Sequence, residues 1–136
     1  MKSEHFKPYY TISGRRRYEL ACHCCGKEGI NRAFLQILES VRSIYGRPMI
    51  INSAYRCDKH NAELPGASKT SSHMCGFAVD VKVLNNRDRY SLMAAAMCVG
   101  ITRFGVAYSF LHFDADPDKP KNVIWTYSKK LANIYH

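Results

Sequence analysis

The sequence predicts a single α+β domain, a small and mostly antiparallel sheet with two main helices drawn from separate stretches of chain. Three observations predict it. Two segments, around residues 34–45 and 92–97, repeat apolar residues at helical spacing. Between them and after them, short segments rich in β-branched or aromatic residues are bounded by turn signals. The whole chain is 136 residues long, with no repeat, low-complexity tract or Gly/Ser linker to divide it. A chain of this size buries about two-thirds of the surface its unfolded form exposes, enough for one core without a disulfide or metal.

The elements follow in order. Residues 1–30 are polar, basic and aromatic, with Arg15-Arg16-Arg17 and the cluster Cys22-His23-Cys24-Cys25-Gly26. They are expected to form an irregular wrap with short structured pieces inside the domain. Asn31 is a plausible N-cap for a helix whose apolar residues Phe34, Leu35, Leu38, Val41 and Tyr45 fall at helical spacing, and Gly46 with Pro48 ends it. Met49-Ile50-Ile51 opens a run too short for a helix after Pro48, and so reads as a buried strand leading to Asn52-Ser53-Ala54-Tyr55-Arg56. Residues 57–72 are polar, with Pro65-Gly66, and read as a loop holding a turn of helix near His60-Asn61-Ala62. Residues 77–83 alternate: Val79, Val81 and Val83 on one face, Ala78, Asp80 and Lys82 on the other, the period of a strand. Asp88 is the expected cap of a second helix through Leu92, Met93, Ala96 and Met97, closed by Gly100. Residues 102–108 and 110–114 read as two tightly joined strands, and 123–127 as a further one.

Composition narrows the function classes. With 46% hydrophobic and 23% charged residues, the chain is neither disordered by composition nor fibrous. Its net charge of +9 points to an anionic partner such as nucleic acid, a membrane surface or a bacterial cell wall. No apolar h-region follows Met1-Lys2-Ser3-Glu4-His5, so cytoplasmic synthesis without a signal peptide is expected, and the six thiols fit that reducing compartment. No apolar run nears the roughly 18 residues of a membrane span, so no membrane insertion is expected. Cys22, Cys24 and Cys25 with His23 could form a structural zinc site, but Cys-x-Cys-Cys lacks both the usual two-to-four-residue gap between zinc ligands and a clear distant Cys or His pair. Cys57, Cys75 and Cys98 read as buried, apolar-like thiols.

Three segments put polar residues where pattern alone predicts core or plain loop. In Ser72-His73-Met74-Cys75-Gly76-Phe77-Ala78-Val79-Asp80, a turn at Gly76 would bring the His73 imidazole toward the Asp80 carboxylate. A carboxylate in a valine-rich strand needs a partner, because burying it alone costs several kcal/mol. In Phe110-Leu111-His112-Phe113-Asp114, alternation sets His112 and Asp114 on one face. Two histidines and a carboxylate from separate segments can give Zn²⁺ three protein ligands and leave a fourth position open, as catalytic sites do. The third segment ends in Arg56, whose planar guanidinium suits a carboxylate or a developing oxyanion.

Taken together, Ser53-Ala54-Tyr55-Arg56-Cys57, His60-Asn61-Ala62, Ser72-His73 with Gly76, Ala78 and Asp80, and His112-Phe113-Asp114 resemble the zinc D-alanyl-D-alanine carboxypeptidase family, which includes phage peptidoglycan endopeptidases. The resemblance runs from Arg32 to about Asp116, and Glu19-Leu20-x-Cys22 resembles the phage-type branch. It implies that one zinc ion is bound by His73, Asp80 and His112, and that Arg56 pairs with a substrate carboxylate or the polarised carbonyl. It implies peptidoglycan stem or cross-bridge peptides as substrate. A lone domain without a signal peptide favours a phage lysis enzyme acting at the cell wall after release over a virion-associated one, and a monomer with no nucleic-acid partner is expected. Ala54 stands where the family commonly has Gly, and Met74-Cys75 follow His73 where an aliphatic or aromatic residue is usual. Many relatives carry an acid three positions before the last zinc histidine, where this chain has Ser109. Asp114 is then the remaining candidate for proton transfer, or else the partner that orients His112. The alternatives to a peptidase are a basic, zinc-containing nucleic-acid-binding domain and a non-catalytic wall-binding relative.

Overall fold

The structure is a computed structural model that describes residues 6, 8–10, 16–18, 20–64 and 67–127. Arg15, Glu19 and Pro65-Gly66 of the expected loop lie outside the described residues. Near the N-terminus, β1 (Pro8–Tyr10) and β2 (Arg16–Tyr18) pair antiparallel, with Tyr9 opposite Arg17. Helix α1 (Arg32–Tyr45) starts where the Asn31 side chain accepts from the Ala33 and Phe34 backbone N–H groups at 2.9 and 3.1 Å. It ends at Gly46, in the left-handed region at φ 74°, as the 34–45 periodicity predicts. Its inward face is Phe34, Leu35, Leu38 and Val41.

β3 (Ile51–Ser53) is followed by α2 (Asp58–Glu63), β4 (Ala78–Lys82) and α3 (Asn86–Cys98). The cap of α3 is Asn85 rather than Asp88: the Asn85 side chain accepts from the Asp88 N–H at 2.8 Å. Asp88 sits in the first turn, where a carboxylate favours the positive end of the helix dipole, and it pairs with Arg47. After α3 come β5 (Arg103–Val106), β6 (Phe110–Asp114) and β7 (Val123–Thr126). The main sheet has the order β3-β4-β6-β5-β7 and is antiparallel except for β5 and β7, which run parallel. The connection 115–122 carries the chain past β5, so β7 docks on the far side of β5, reversed relative to β6.

The two faces of the sheet have different uses. Val79, Val81, Phe104, Leu111 and Phe113 point to one side and form a single core with Phe34, Leu38 and Val41 of α1 and Leu92 and Ala96 of α3. Each of these Val, Leu and Phe side chains stabilises the fold by about 1.5–3 kcal/mol on burial. The other face carries Asp80, His112, Asp114, Arg103 and Trp125 and borders a cleft also lined by Arg56, Leu64, Ser71 and His73. The predicted burial of three thiols does not hold. Cys98 lies at the end of α3 and Cys75 in the 72–76 turn, and both are exposed, while Cys57 is half-buried beside other sulfurs. Among the described residues, no helix is long and apolar enough to cross a membrane.

Candidate metal centre in the cleft

One row of residues crosses the whole sheet. Ser53 on β3 lies opposite Asp80 on β4, Asp80 opposite His112 on β6, His112 opposite Gly105 on β5, and Gly105 beside Trp125 on β7. The period of two that buries the valines of β4 therefore lifts Asp80 into the cleft, directly across from His112. The neighbouring row repeats the device, with Ala78, Asp114 and Arg103 side by side.

His73 arrives from the loop before β4. Its approach depends on Gly76, at φ 79°, where a Cβ would lie 2.1 Å from the Gly29 carbonyl oxygen. With no Cβ there, the turn packs against the segment before α1, and the Asn31 N–H donates to the Gly76 carbonyl at 2.9 Å. The loop then folds back so that the His73 N–H donates to Ser71 Oγ at 3.2 Å and the Arg56 N–H to the His73 carbonyl at 3.1 Å.

The ring nitrogens divide into an outer and an inner set. His73 Nδ1 is 2.6 Å from the Ala54 carbonyl oxygen, which can only accept, so Nδ1 carries the proton and Nε2 presents a lone pair. His112 Nε2 donates to Asp114 Oδ2 at 2.7 Å, leaving Nδ1 as the inner nitrogen. Both inner nitrogens face one oxygen, Asp80 Oδ1, at 3.2 Å from His73 and 2.8 Å from His112. Neutral imidazole lone pairs aimed at a carboxylate oxygen repel unless a cation lies among them. All three ligand atoms fall within 4.8 Å of one another, so the set fits a metal that takes imidazole nitrogen and carboxylate oxygen.

The electrostatics carry the same demand. Burial pushes the Asp80 carboxyl up, but the flanking His73 and His112 hold it well below the usual carboxylate range. Burial lowers the His73 pKa. At His112 burial acts the same way, yet its contacts with Asp114 and Asp80 win and raise its pKa above the ordinary value. A proton on His112 and a metal ion are thus two answers to one concentration of negative charge.

Asp114 stands behind His112 and is 1% exposed. Its Oδ1 accepts from Arg103 Nε at 2.7 Å and from the Asp116 N–H at 3.2 Å, so both oxygens are engaged. Burial pushes this carboxyl up, and His112, the Asp116 N–H and Arg103 together pull it below its ordinary range. Arg56 lines the same cleft of about 470 Å³, donating from Nη2 to Ser71 Oγ at 3.1 Å, while its buried Nε has no hydrogen-bond partner. Trp125 forms part of the wall, its ring 5.4 Å from that of His112. That wall depends on Gly105, where a Cβ would meet Trp125 Nε1 at 2.6 Å.

The structure brings His73, Asp80, His112, Asp114 and Arg56 into one cleft. Ser109 lies away from it, beside a separate cavity bordered by Lys82 and Tyr108. Sequence reasoning missed Arg103, Asp116 and Lys119. Asp116 accepts from Ser72 Oγ at 2.8 Å, and Lys119 donates to Ser72 Oγ at 2.9 Å and to the Thr70 carbonyl at 2.6 Å, tying the His73 loop to the segment after β6. Arg103 had a readable signal: it precedes Gly105 by two residues, on the polar face of β5, across from Asp114.

The model of one protein family, described as peptidase M15, matches residues 16–114, a span that includes every residue of the His73, Asp80, His112, Asp114 and Arg56 group. No curated protein matches the chain.

Proposed function

The chain belongs to the peptidase M15 family, and from that premise we propose that it is a zinc-dependent peptidase hydrolysing peptide bonds of bacterial peptidoglycan, as a D,D- or L,D-carboxypeptidase or endopeptidase. The observation that carries the reading is the convergence of two imidazole lone pairs and one carboxylate oxygen in an open cleft beside a half-buried arginine.

His73 Nε2, His112 Nδ1 and Asp80 are the residues that would hold the zinc. Zinc held there supplies Lewis acidity toward a carbonyl oxygen and lowers the pKa of water. Ala54 and Asp114 hold the two outer ring nitrogens, which keeps both inner lone pairs on the ligand set. Arg56 has one nitrogen anchored on Ser71 and an unpaired Nε, and so is ready to take a substrate carboxylate or the oxygen that gains negative charge as the carbonyl is attacked. Carrying a proton to the leaving amine would require Asp114 to let go of His112 or Arg103, so its present contacts support an orienting role. Trp125 and Tyr127 offer aromatic wall against which a stem peptide can lie.

The net charge of +9 would concentrate the protein on an anionic wall in a salt-dependent way. We read its biological setting as phage lysis, with action at the wall after release of a monomeric protein. The test is digestion of purified peptidoglycan by the zinc-loaded protein, with products read by mass spectrometry. New termini at stem or cross-link peptides, absent with His73→Ala, are expected. Intact peptidoglycan with zinc bound at the His site would overturn the reading.

A further inference from the structure

Outside the cleft, four thiols from two separated segments meet. Cys22, Cys24 and Cys25 lie on the turn that precedes α1, and Cys57 is the cap of α2. Their sulfurs all lie within 4.8 Å of one another. Cys24 Sγ is 3.5 Å from Cys22 Sγ and 3.3 Å from Cys57 Sγ, so the grouping is shared rather than pairwise. Four sulfurs bound at about 2.3 Å to a tetrahedral zinc ion stand about 3.8 Å apart, which is the size of this cluster. Cys22 and Cys25 are also separated by two residues, a gap within the range zinc ligand pairs use, which the reading of the cluster as Cys-x-Cys-Cys obscured. Cys57, 32 residues beyond Cys25, is the distant ligand that no local pattern announces.

The backbone is arranged for sulfur ligands. The Cys22 N–H donates to the Lys27 carbonyl at 2.9 Å and the Gly26 N–H to the Cys22 carbonyl at 2.7 Å, closing a tight turn around Cys24 and Cys25. The Cys57 N–H donates to Cys22 Sγ and the His60 N–H to Cys57 Sγ, each at 3.4 Å, and such donors favour negative charge on sulfur. The His23 and His60 rings stand 6.4 Å apart, so the two segments also meet through these imidazoles.

We propose that Cys22, Cys24, Cys25 and Cys57 bind a second zinc ion in a closed four-thiolate site that pins the N-terminal segment to the chain carrying Arg56. Cys57 directly follows Arg56, and the Tyr55 N–H donates to the Leu20 carbonyl at 3.3 Å, so this ion anchors the arginine's backbone in addition to its hydrogen bond to the His73 carbonyl. The site is structural because all four positions of a tetrahedral ion are taken by protein.

The experiment uses the full chain, purified under reducing conditions, loaded with Zn²⁺, desalted and counted by elemental analysis, and it does not depend on cleavage. About two zinc ions per chain are expected in the native protein and in Cys98→Ser, and about one in either His73→Ala or Cys57→Ser. Loading with Co²⁺ is expected to give thiolate-to-cobalt charge-transfer absorption in native protein and in His73→Ala, and none in Cys57→Ser. Should Cys57→Ser fail to fold, alkylation of the native protein serves instead: Cys75 and Cys98 react at once, while the equally exposed Cys24 and Cys25 react only after a chelator is added. A single zinc that is lost in His73→Ala, a cobalt protein without thiolate absorption, or a disulfide among these four cysteines would overturn the proposal.

Discussion

His73, Asp80 and His112 meet above a sheet, whereas Cys22, Cys24, Cys25 and Cys57 meet where two loops touch. In the cleft, strand register does most of the placing: Asp80 and His112 are opposite residues of one rung, and their valine, leucine and phenylalanine neighbours are locked into the core behind them. Only His73 has to be delivered by a loop, and Gly76, Ser71 and the Ala54 carbonyl deliver it. The cysteine cluster has no such frame behind it, so a bound ion would itself supply the order. The ligand chemistry divides the same way. Two nitrogens and an oxygen in an open cleft leave room for a substrate, while four sulfurs leave none. A metal site meant to do chemistry is built on rigid elements, and one meant to hold a fold can be built from the parts it holds.

The widest separation of the two regions is expected from His73→Ala. It should lower peptidoglycan cleavage by on the order of 10³-fold or more, because the Lewis acid is worth several kcal/mol to the reaction, and leave the thiolate cluster's metal in place. Metal counting beside turnover reads both. Asp114→Asn comes next. It disturbs the group that fixes the His112 ring, and should weaken zinc affinity by about 10–100-fold. Recovery of turnover at saturating zinc is what an orienting Asp114 predicts; turnover that stays lost with the site full would make it a proton carrier.

Gly105→Ala is a smaller perturbation. The new Cβ meets the Trp125 indole, which must move off His112. A loss of about 1–3 kcal/mol in denaturant unfolding is expected, with weaker substrate binding and both metals retained. The smallest effect concerns the tie between the His73 loop and the segment after β6. Burial pushes the Asp116 carboxyl up, but the Asp118 N–H, Ser72 and Lys119 pull it below its ordinary range. A carboxyl depressed in the folded state contributes stability that is full above its unfolded pKa, about 3.9, and is lost as pH falls through its folded value. Asp116→Asn should therefore lower Tm modestly at neutral pH, where the contribution is full, and flatten the acid limb of a Tm against pH profile, so that the two proteins converge at low pH.

Much of this architecture is readable along the chain where the informative contacts are local. Asn31 and Gly46 frame α1 with the apolar period between them, and alternation through β4 and β6 sets Asp80, His112 and Asp114 on the face opposite Val79, Val81, Leu111 and Phe113. What pattern cannot supply is which distant groups meet. Arg103 finds Asp114, Lys119 reaches back to Thr70, and Cys57 joins cysteines more than thirty residues earlier, all through tertiary contacts that leave no period behind. The helix start at Asn85 instead of Asp88 is a local miss: both residues suit a cap, and it is the extended backbone of Asn85 that decides. The parallel pairing of β7 depends on where the 115–122 connection crosses, which strand composition does not encode.

The most direct test of the account is a chelator titration of the fully zinc-loaded protein, following bound zinc and peptidoglycan cleavage in the same samples of native protein and of His73→Ala. The account predicts that cleavage falls in step with loss of the His73, Asp80 and His112 metal and returns when zinc is restored. Cleavage that persists after that metal has left, or in His73→Ala, would contradict it.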